Sequence, residues 1–200
     1  MIKTKIIGLT GGIGSGKTTI ANYFNEMGVP IYIADDEARK IMQSKFIIEE
    51  IKALFGDSLF EDGILNRAKL AEIVFNNSSK LEQLNAVIHP AVRKDFEAWL
   101  ETKKKYAYVI YEAAILFESG RYKDCDIVIT VTAPEEARIE RVMKRDKTTR
   151  EQVLNRMKMQ WKDEERISKS DFIILNDNLK KANEEVVKIL KILNIKQNQS

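Results

Sequence analysis

An α/β layered fold with a largely parallel five-stranded sheet is what this sequence predicts, and three observations carry the prediction. Short apolar runs alternate with segments of helical periodicity. The first run leads straight into the glycine-rich stretch Gly11-Gly12-Ile13-Gly14-Ser15-Gly16-Lys17-Thr18-Thr19, and a helical pattern follows it. Acidic residues stand where two later runs end, at Asp35 and Glu112.

Residues 5–10 read as a short buried strand. A helix is expected over residues 17–27, with Ile20, Tyr23, Phe24 and Met27 on one face and Gly28 as its stop. The stretch between them reads as a phosphate-binding loop, because Gly11, Gly16, Lys17 and Thr18 have the spacing at which a tight turn presents consecutive backbone N–H groups to phosphate oxygens. The helix that opens at Lys17 adds a dipole that favours the anion. Lys17 is placed to reach the β- and γ-phosphates, and the Thr18 hydroxyl to hold a magnesium ion that bridges them. Residues 11–19 as a whole are the expected nucleotide site.

A second run, Val29-Pro30-Ile31-Tyr32-Ile33, ends at Ala34-Asp35-Asp36-Glu37. Two readings of Asp35 stand: an acid at the favourable end of a helix, or a group that meets substrate at the carboxyl end of a parallel strand. From residue 38 to 100 there is no clear strand, only helical patterns broken near Gly56-Asp57, Asp62-Gly63 and Asn76-Asn77-Ser78-Ser79, so a helical insertion is expected. Pro90 is expected to kink or interrupt a helix after His89, the one histidine of the chain, with Arg93 a turn further on. His89 is read either as a structural residue or as a substrate contact.

The third strand is read over 106–112 and ends in Glu112, which serves either to order magnesium or its water shell or to cap the segment that follows. Leu116 and Phe117 read as packing residues or as an apolar ligand wall, with Glu118 next to them. The fourth strand covers 126–132. A capping box with proline, Thr132-Ala133-Pro134-Glu135, then starts a helix carrying Arg138, Arg141 and Arg145 as one stripe. That stripe is either a solvated face or a set of guanidinium forks for triphosphate oxygens. A second capping box, from Thr148 to Glu151, opens a partner helix with Arg156, Gln160 and Trp161, and the basic hairpin so formed reads as a lid. The fifth strand, 171–175, ends at Asn176, whose amide suits either an adenine edge or a turn. A final helix is expected to pack on the sheet, with residues 197–200 frayed.

The chain has 33 Lys and Arg against 30 Asp and Glu, a net charge of +3, so charge alone implies no nucleic-acid partner. One cysteine excludes an intramolecular disulfide framework, and no Cys/His set offers a zinc site. No signal peptide is read before the first strand and no apolar run is long enough for a membrane, so a cytoplasmic protein is expected. The GTPase pattern of Asp-x-x-Gly with Asn-Lys-x-Asp is missing from the sequence. A small ATP-dependent kinase has candidates for every part it needs.

The order of motifs then resembles the dephospho-coenzyme A kinase family along nearly the whole chain. The likeness rests on residues 8–18, Ala34-Asp35 with Ala38-Arg39, His89-Pro90 with Arg93, Leu116-Phe117-Glu118, Arg141 to Arg145-Asp146, Gln160, and residues 171–176. Ile33 stands where the family's segment has its first aspartate, leaving Asp35 as the matching acid. Glu112-Ala113-Ala114 replaces Asp-x-Pro, keeping a carboxylate without the proline. The resemblance implies a nucleoside-monophosphate-kinase-like P-loop fold and transfer of phosphate from ATP, with Mg2+, to the ribose 3'-hydroxyl of dephospho-coenzyme A. It also implies a nucleotide-binding core (1–37, 102–140 and 165–200), a helical acceptor-binding insertion (38–101) and a lid (141–164). The roles that follow give Lys17, Arg141 and Arg145 to the phosphoryl group and Asp35 to the hydroxyl. Glu112 and Thr18 go to magnesium, Asn176 to the nucleotide, and His89, Arg93, Leu116, Phe117 and Glu118 to the acceptor. Oligomeric state is left open.

Overall fold

The computed structural model describes residues 3–61, 63–75 and 77–198. In chain order the main elements are β1 (Lys5–Thr10), α1 (Lys17–Glu26), β2 (Ile31–Ile33), α2 (Ala34–Ile41), α3 (Lys45–Phe55), β3 (Phe60–Glu61), β4 (Ile64–Leu65), α4 (Arg67–Phe75) and α5 (Ser78–Glu101). There follow β5 (Tyr108–Glu112), β6 (Ile127–Thr132), α6 (Glu135–Asp146), α7 (Arg150–Lys158), α8 (Asp163–Ser168), β7 (Phe172–Leu175) and α9 (Leu179–Asn198). They form two compact units, Met1–Ile33 with Lys103–Ser200, and Ala34–Thr102.

The first unit is built on a five-stranded sheet in the order β2-β5-β1-β6-β7, parallel at every pairing. The central strands β1, β5 and β6 are buried at consecutive positions, hence on both faces, which is why they read as continuous hydrophobic runs. Ile7 and Leu9 of β1, Ile110 of β5 and Ile129 of β6 pack with Phe24 of α1 and Val186 of α9 in one buried cluster. α1 stops where Gly28, at φ 85°, takes a left-handed conformation and donates its N–H to Asn25 O at 2.8 Å. Cys125 is largely enclosed, and burial pushes its thiol up to about 12, so at neutral pH it stays protonated and unreactive. Gln197 and Asn198 continue α9 instead of fraying; Gln199 and Ser200 lie outside the described residues.

The second unit is mostly helical, with two departures from expectation. β3 and β4 form a two-residue antiparallel hairpin turned at Gly63, too short for any alternation to show in the sequence. Asp62, read at that break, and Asn76, read at the next, lie outside the described residues. Asn77 caps α5, its side chain accepting the Lys80 N–H. α5 also runs unbroken through Pro90. The missing N–H costs one helical bond, but Leu84, Ile88, Val92 and Phe96 make one buried ridge that anchors the helix on both sides of the proline. Among the described residues no helix is long and apolar enough to cross a membrane.

Candidate active site

Four neighbouring strands, β2, β5, β1 and β6, bring the sequence-predicted strand-end residues of the first unit to one edge. Leu9 of β1 is in register with Glu112 of β5, Thr10 with Thr130 of β6, and Ile33 of β2 with Glu112 on its other side. Glu112 is buried, 3 % exposed, at the last position of β5. Ile33, where an acid was expected from the resemblance, therefore presents an apolar side chain in the row that holds this carboxylate.

The loop after β1 leads into α1, which carries no acid in its first turn and no side-chain cap. Its amino-terminal N–H groups are thus left for a ligand of negative charge. Lys17 donates from Nζ to Gly11 O at 3.0 Å, which lays the ammonium across the loop. Thr18, one residue on, is exposed. Two glycines are required here for a reason not visible in the sequence. A Cβ on Gly14, at φ 78°, would lie 2.4 Å from Arg138 O, and one on Gly16, at φ 91°, 2.1 Å from Asn176 Nδ2. The loop is packed against protein on its outer side, so the glycines serve that contact as well as phosphate approach.

Asn176 and Arg141 hold that outer side. Asn176 is buried and donates from Nδ2 to Ser15 O at 2.8 Å; its own carbonyl accepts Arg141 Nη2 at 2.9 Å. Arg141 Nη1 also reaches Gly14 O at 3.3 Å. The Asn176 amide nitrogen is committed to the loop, and its Oδ1 is buried without a hydrogen-bond partner among the described residues. Arg145 is exposed and paired with Asp146 at 2.6 Å, and Arg156 reaches the same carboxylate at 2.6 Å. The hydrogen bond from Arg145, then that from Arg156, holds the Asp146 carboxyl far below the usual range. This contribution to stability is complete above a pH of about 4 and fades as pH falls further.

The segment expected at the acceptor is interior. Leu116 is fully buried, and Phe117 stacks on Trp161 with ring centroids 5.4 Å apart. Glu118 accepts from Arg166 Nη2 at 3.1 Å and from the Trp161 N–H at 3.0 Å. Leu116 and Phe117 pack in the interior, while Glu118 is partly exposed and its Oε2 has no hydrogen-bond partner among the described residues. Both capping boxes also differ from expectation. Thr132 donates to Asp163 at 2.8 Å, leaving Pro134 at the N-cap of α6, and the box that opens α7 uses Thr149 with Gln152, one residue later. At α6 the Thr132 hydroxyl is drawn to a partner 31 residues away; at α7 the box stays local and shifts by one residue.

Arg138, read only as part of a stripe, is buried and spans from Ile13 O, at 3.0 Å from Nε, to Asp163, at 2.8 Å from Nη1. Asp163 itself was not singled out from the sequence; its placement three residues before Arg166 is a spacing that allows the ion pair seen here. In the second unit, Asp35 is exposed in the first turn of α2 beside Asp36 and Glu37. His89 is half-buried midway along α5, and Arg93 one turn later pairs with Glu97 at 3.1 Å.

The dephospho-CoA kinase family model matches residues 5–182. A dephospho-CoA kinase of Bacteroides fragilis is 37 % identical over 188 residues, covering 94 % of this chain and 92 % of the relative. That of Fusobacterium nucleatum is 43 % identical over 174 residues, covering 86 % and 90 %. Among solved structures, a Thermus thermophilus protein superposes with a TM-score of 0.88 at 34 % identity, covering 95 % of this chain and 97 % of its own. The Campylobacter jejuni dephospho-CoA kinase gives 0.62 at 28 % identity, with the same coverage. A shikimate kinase of Acinetobacter baumannii, at 0.52 and 16 % identity over 98 % and 96 %, shares the fold. A parallel sheet with a phosphate loop after its central strand, and these relatives over most of its length, lead to one conclusion: the chain belongs to the dephospho-CoA kinase family, the ATP-dependent enzymes that phosphorylate the ribose 3'-hydroxyl of dephospho-CoA in the last step of CoA synthesis.

Proposed function

We propose that the residues singled out above divide this phosphoryl transfer among themselves. The observation that carries the reading is the open amino end of α1 with Lys17 laid across the loop that precedes it. Backbone N–H groups of residues 11–19, apart from those of Ile13 and Ser15, which bond Gln160 and Gly12, hold the β- and γ-phosphates of ATP, and Lys17 Nζ leaves Gly11 O for the γ-phosphoryl oxygens. Arg141, already on the loop, and Arg145, which can leave Asp146 to Arg156, neutralise charge on the transferred group. Asp35 accepts or orients the proton of the acceptor hydroxyl.

The donor set suits magnesium. The described residues hold no cluster of three His, Cys, Asp or Glu side chains that would cage a metal by themselves. A single hydroxyl at Thr18 and a carboxylate at Glu112 match an ion that keeps waters and takes its other ligands from substrate phosphates. When bound, magnesium neutralises charge on the phosphate oxygens; Thr18 and Glu112 fix where it sits.

The helical insertion 38–101 binds dephospho-CoA, with His89 and Arg93 as its contacts, and the hairpin 141–164 closes over ATP to exclude water. The protein works in the cytoplasm. His89→Ala and Arg93→Ala are expected to raise KM for dephospho-CoA by about tenfold each while KM for ATP stays put. Arg93 is exposed and its ion pair with Glu97 is an exposed one, so loss of that pair should move the melting temperature little. An effect confined to melting temperature in both variants would remove them from the acceptor site.

A further inference from the structure

Ile13 is held at both of its backbone polar groups, one on each of the two peptides that flank its Cα, and by its side chain. Its N–H donates to Gln160 Oε1 at 2.8 Å, and its carbonyl accepts Arg138 Nε at 3.0 Å. An N–H donor requires the amide oxygen opposite it, which fixes the orientation of the Gln160 side chain. The Ile13 side chain packs with Ile139 and Val142 of α6 and Val153 of α7 in a small core of its own. A Cβ on Gly12 would lie 2.0 Å from Arg138 Nη2, so the loop sequence makes room for that guanidinium.

The two holding side chains are themselves tied together. Arg138 Nη1 binds Asp163 Oδ2 at 2.8 Å, and Asp163 Oδ1 takes Arg166 Nη1 at 3.1 Å. Arg166, fully buried, reaches Glu118 at 3.1 Å, and the same Glu118 oxygen takes the N–H of Trp161, the neighbour of Gln160 in the chain. A closed ring of two cations and two anions thus runs from one side of Ile13 to the other. Each charge in it is paired, which is the condition under which buried ions are tolerated.

We propose that Arg138 and Gln160 are positioning residues for phosphoryl transfer: together they clamp the two peptide planes that meet at the Ile13 Cα and so set the path of the N–H groups that follow. Gly14, the next residue, takes a positive φ, and the turn from there to the start of α1 inherits its direction from the Ile13–Gly14 plane, whose carbonyl Arg138 holds. Holding one plane leaves the other free to turn about the Ile13 Cα; holding both fixes the backbone there. Rigid placement matters here because the loop's whole contribution is geometric, and a displacement of about 1 Å can cost about a hundredfold in rate. The proposal rests on the loop being the ATP phosphate site.

The test is steady-state kinetics on the full chain with ATP and dephospho-CoA. Gln160→Met keeps the volume and removes the acceptor; kcat is expected to fall by about ten- to a hundredfold, with KM for dephospho-CoA and melting temperature close to wild type. Gln160→Glu restores an acceptor and should recover most of kcat. Because both residues fix the backbone at one Cα, Arg138→Met combined with Gln160→Met should cost no more than the worse of the two alone. If Arg138→Met fails to fold, the Gln160 pair decides alone. A Gln160→Met enzyme with wild-type kcat, or one that Gln160→Glu does not rescue, overturns the clamp. Lys17→Ala in the same assay separates the two claims, since a dead Lys17 variant beside a wild-type Gln160 variant rejects the clamp and keeps the loop.

Discussion

Replacement of Lys17 with alanine is expected to lower kcat/KM by about a thousandfold or more, the size seen when a charged donor aimed at developing phosphoryl charge is lost. The prediction follows from position. Lys17 is the first residue of α1, where the preceding Gly16 caps the helix without a side chain and no acid occupies the first turn. Its ammonium is the cation nearest in sequence to the loop's N–H groups, and its bond to Gly11 O keeps it over the loop. Alanine is the better helix former, so α1 should keep its stability and a lost rate cannot be put down to unfolding. Kinetics alongside a thermal melt check this. Wild-type activity in a folded Lys17→Ala enzyme would remove the phosphate clamp.

The second large effect is expected at Asp35. Asp35→Asn should cut kcat by about a hundred- to ten-thousandfold, the range for a lost general base, with ATP binding little changed. The substitution separates the two readings of this residue, because asparagine is as good as aspartate in a capping role and Asp36 and Glu37 remain to face the helix dipole. A structural acid would thus be replaced at almost no cost, whereas a proton acceptor would not. Turnover equal to wild type would assign Asp35 to the helix alone.

The strands and the phosphate loop were legible because each is written locally. Short apolar runs, such as Ile6-Ile7-Gly8-Leu9, and a glycine-lysine-threonine spacing need no distant partner to be recognised. Strand ends shifted by one or two residues, β5 beginning at Tyr108 and β7 at Phe172, which is the usual looseness of element boundaries. What stayed hidden depends on contacts across the chain. Pro90 reads as a break until the ridge from Leu84 to Phe96 is seen to span it. The stripe of Arg138, Arg141 and Arg145 reads as one functional unit, yet packing gives the three quite different surroundings: Arg138 buried against Asp163, Arg141 on the loop carbonyls, Arg145 out at Asp146. Asn176, Glu118 and Gln160 were each visible as polar residues near the expected site. Their partners lie 161, 48 and 147 residues away in the chain, and no spacing rule reaches that far.

The account centres on a loop that hands one phosphoryl group to one hydroxyl. ADP formation measured in parallel with dephospho-CoA, AMP, a panel of nucleosides and no acceptor tests it most directly, provided the product is located by phosphorus NMR. The expected result is ADP formed in equal amount with a new 3'-phosphomonoester when dephospho-CoA is present, and little without it. Equal ADP release with no acceptor, or faster turnover on another acceptor, would contradict it.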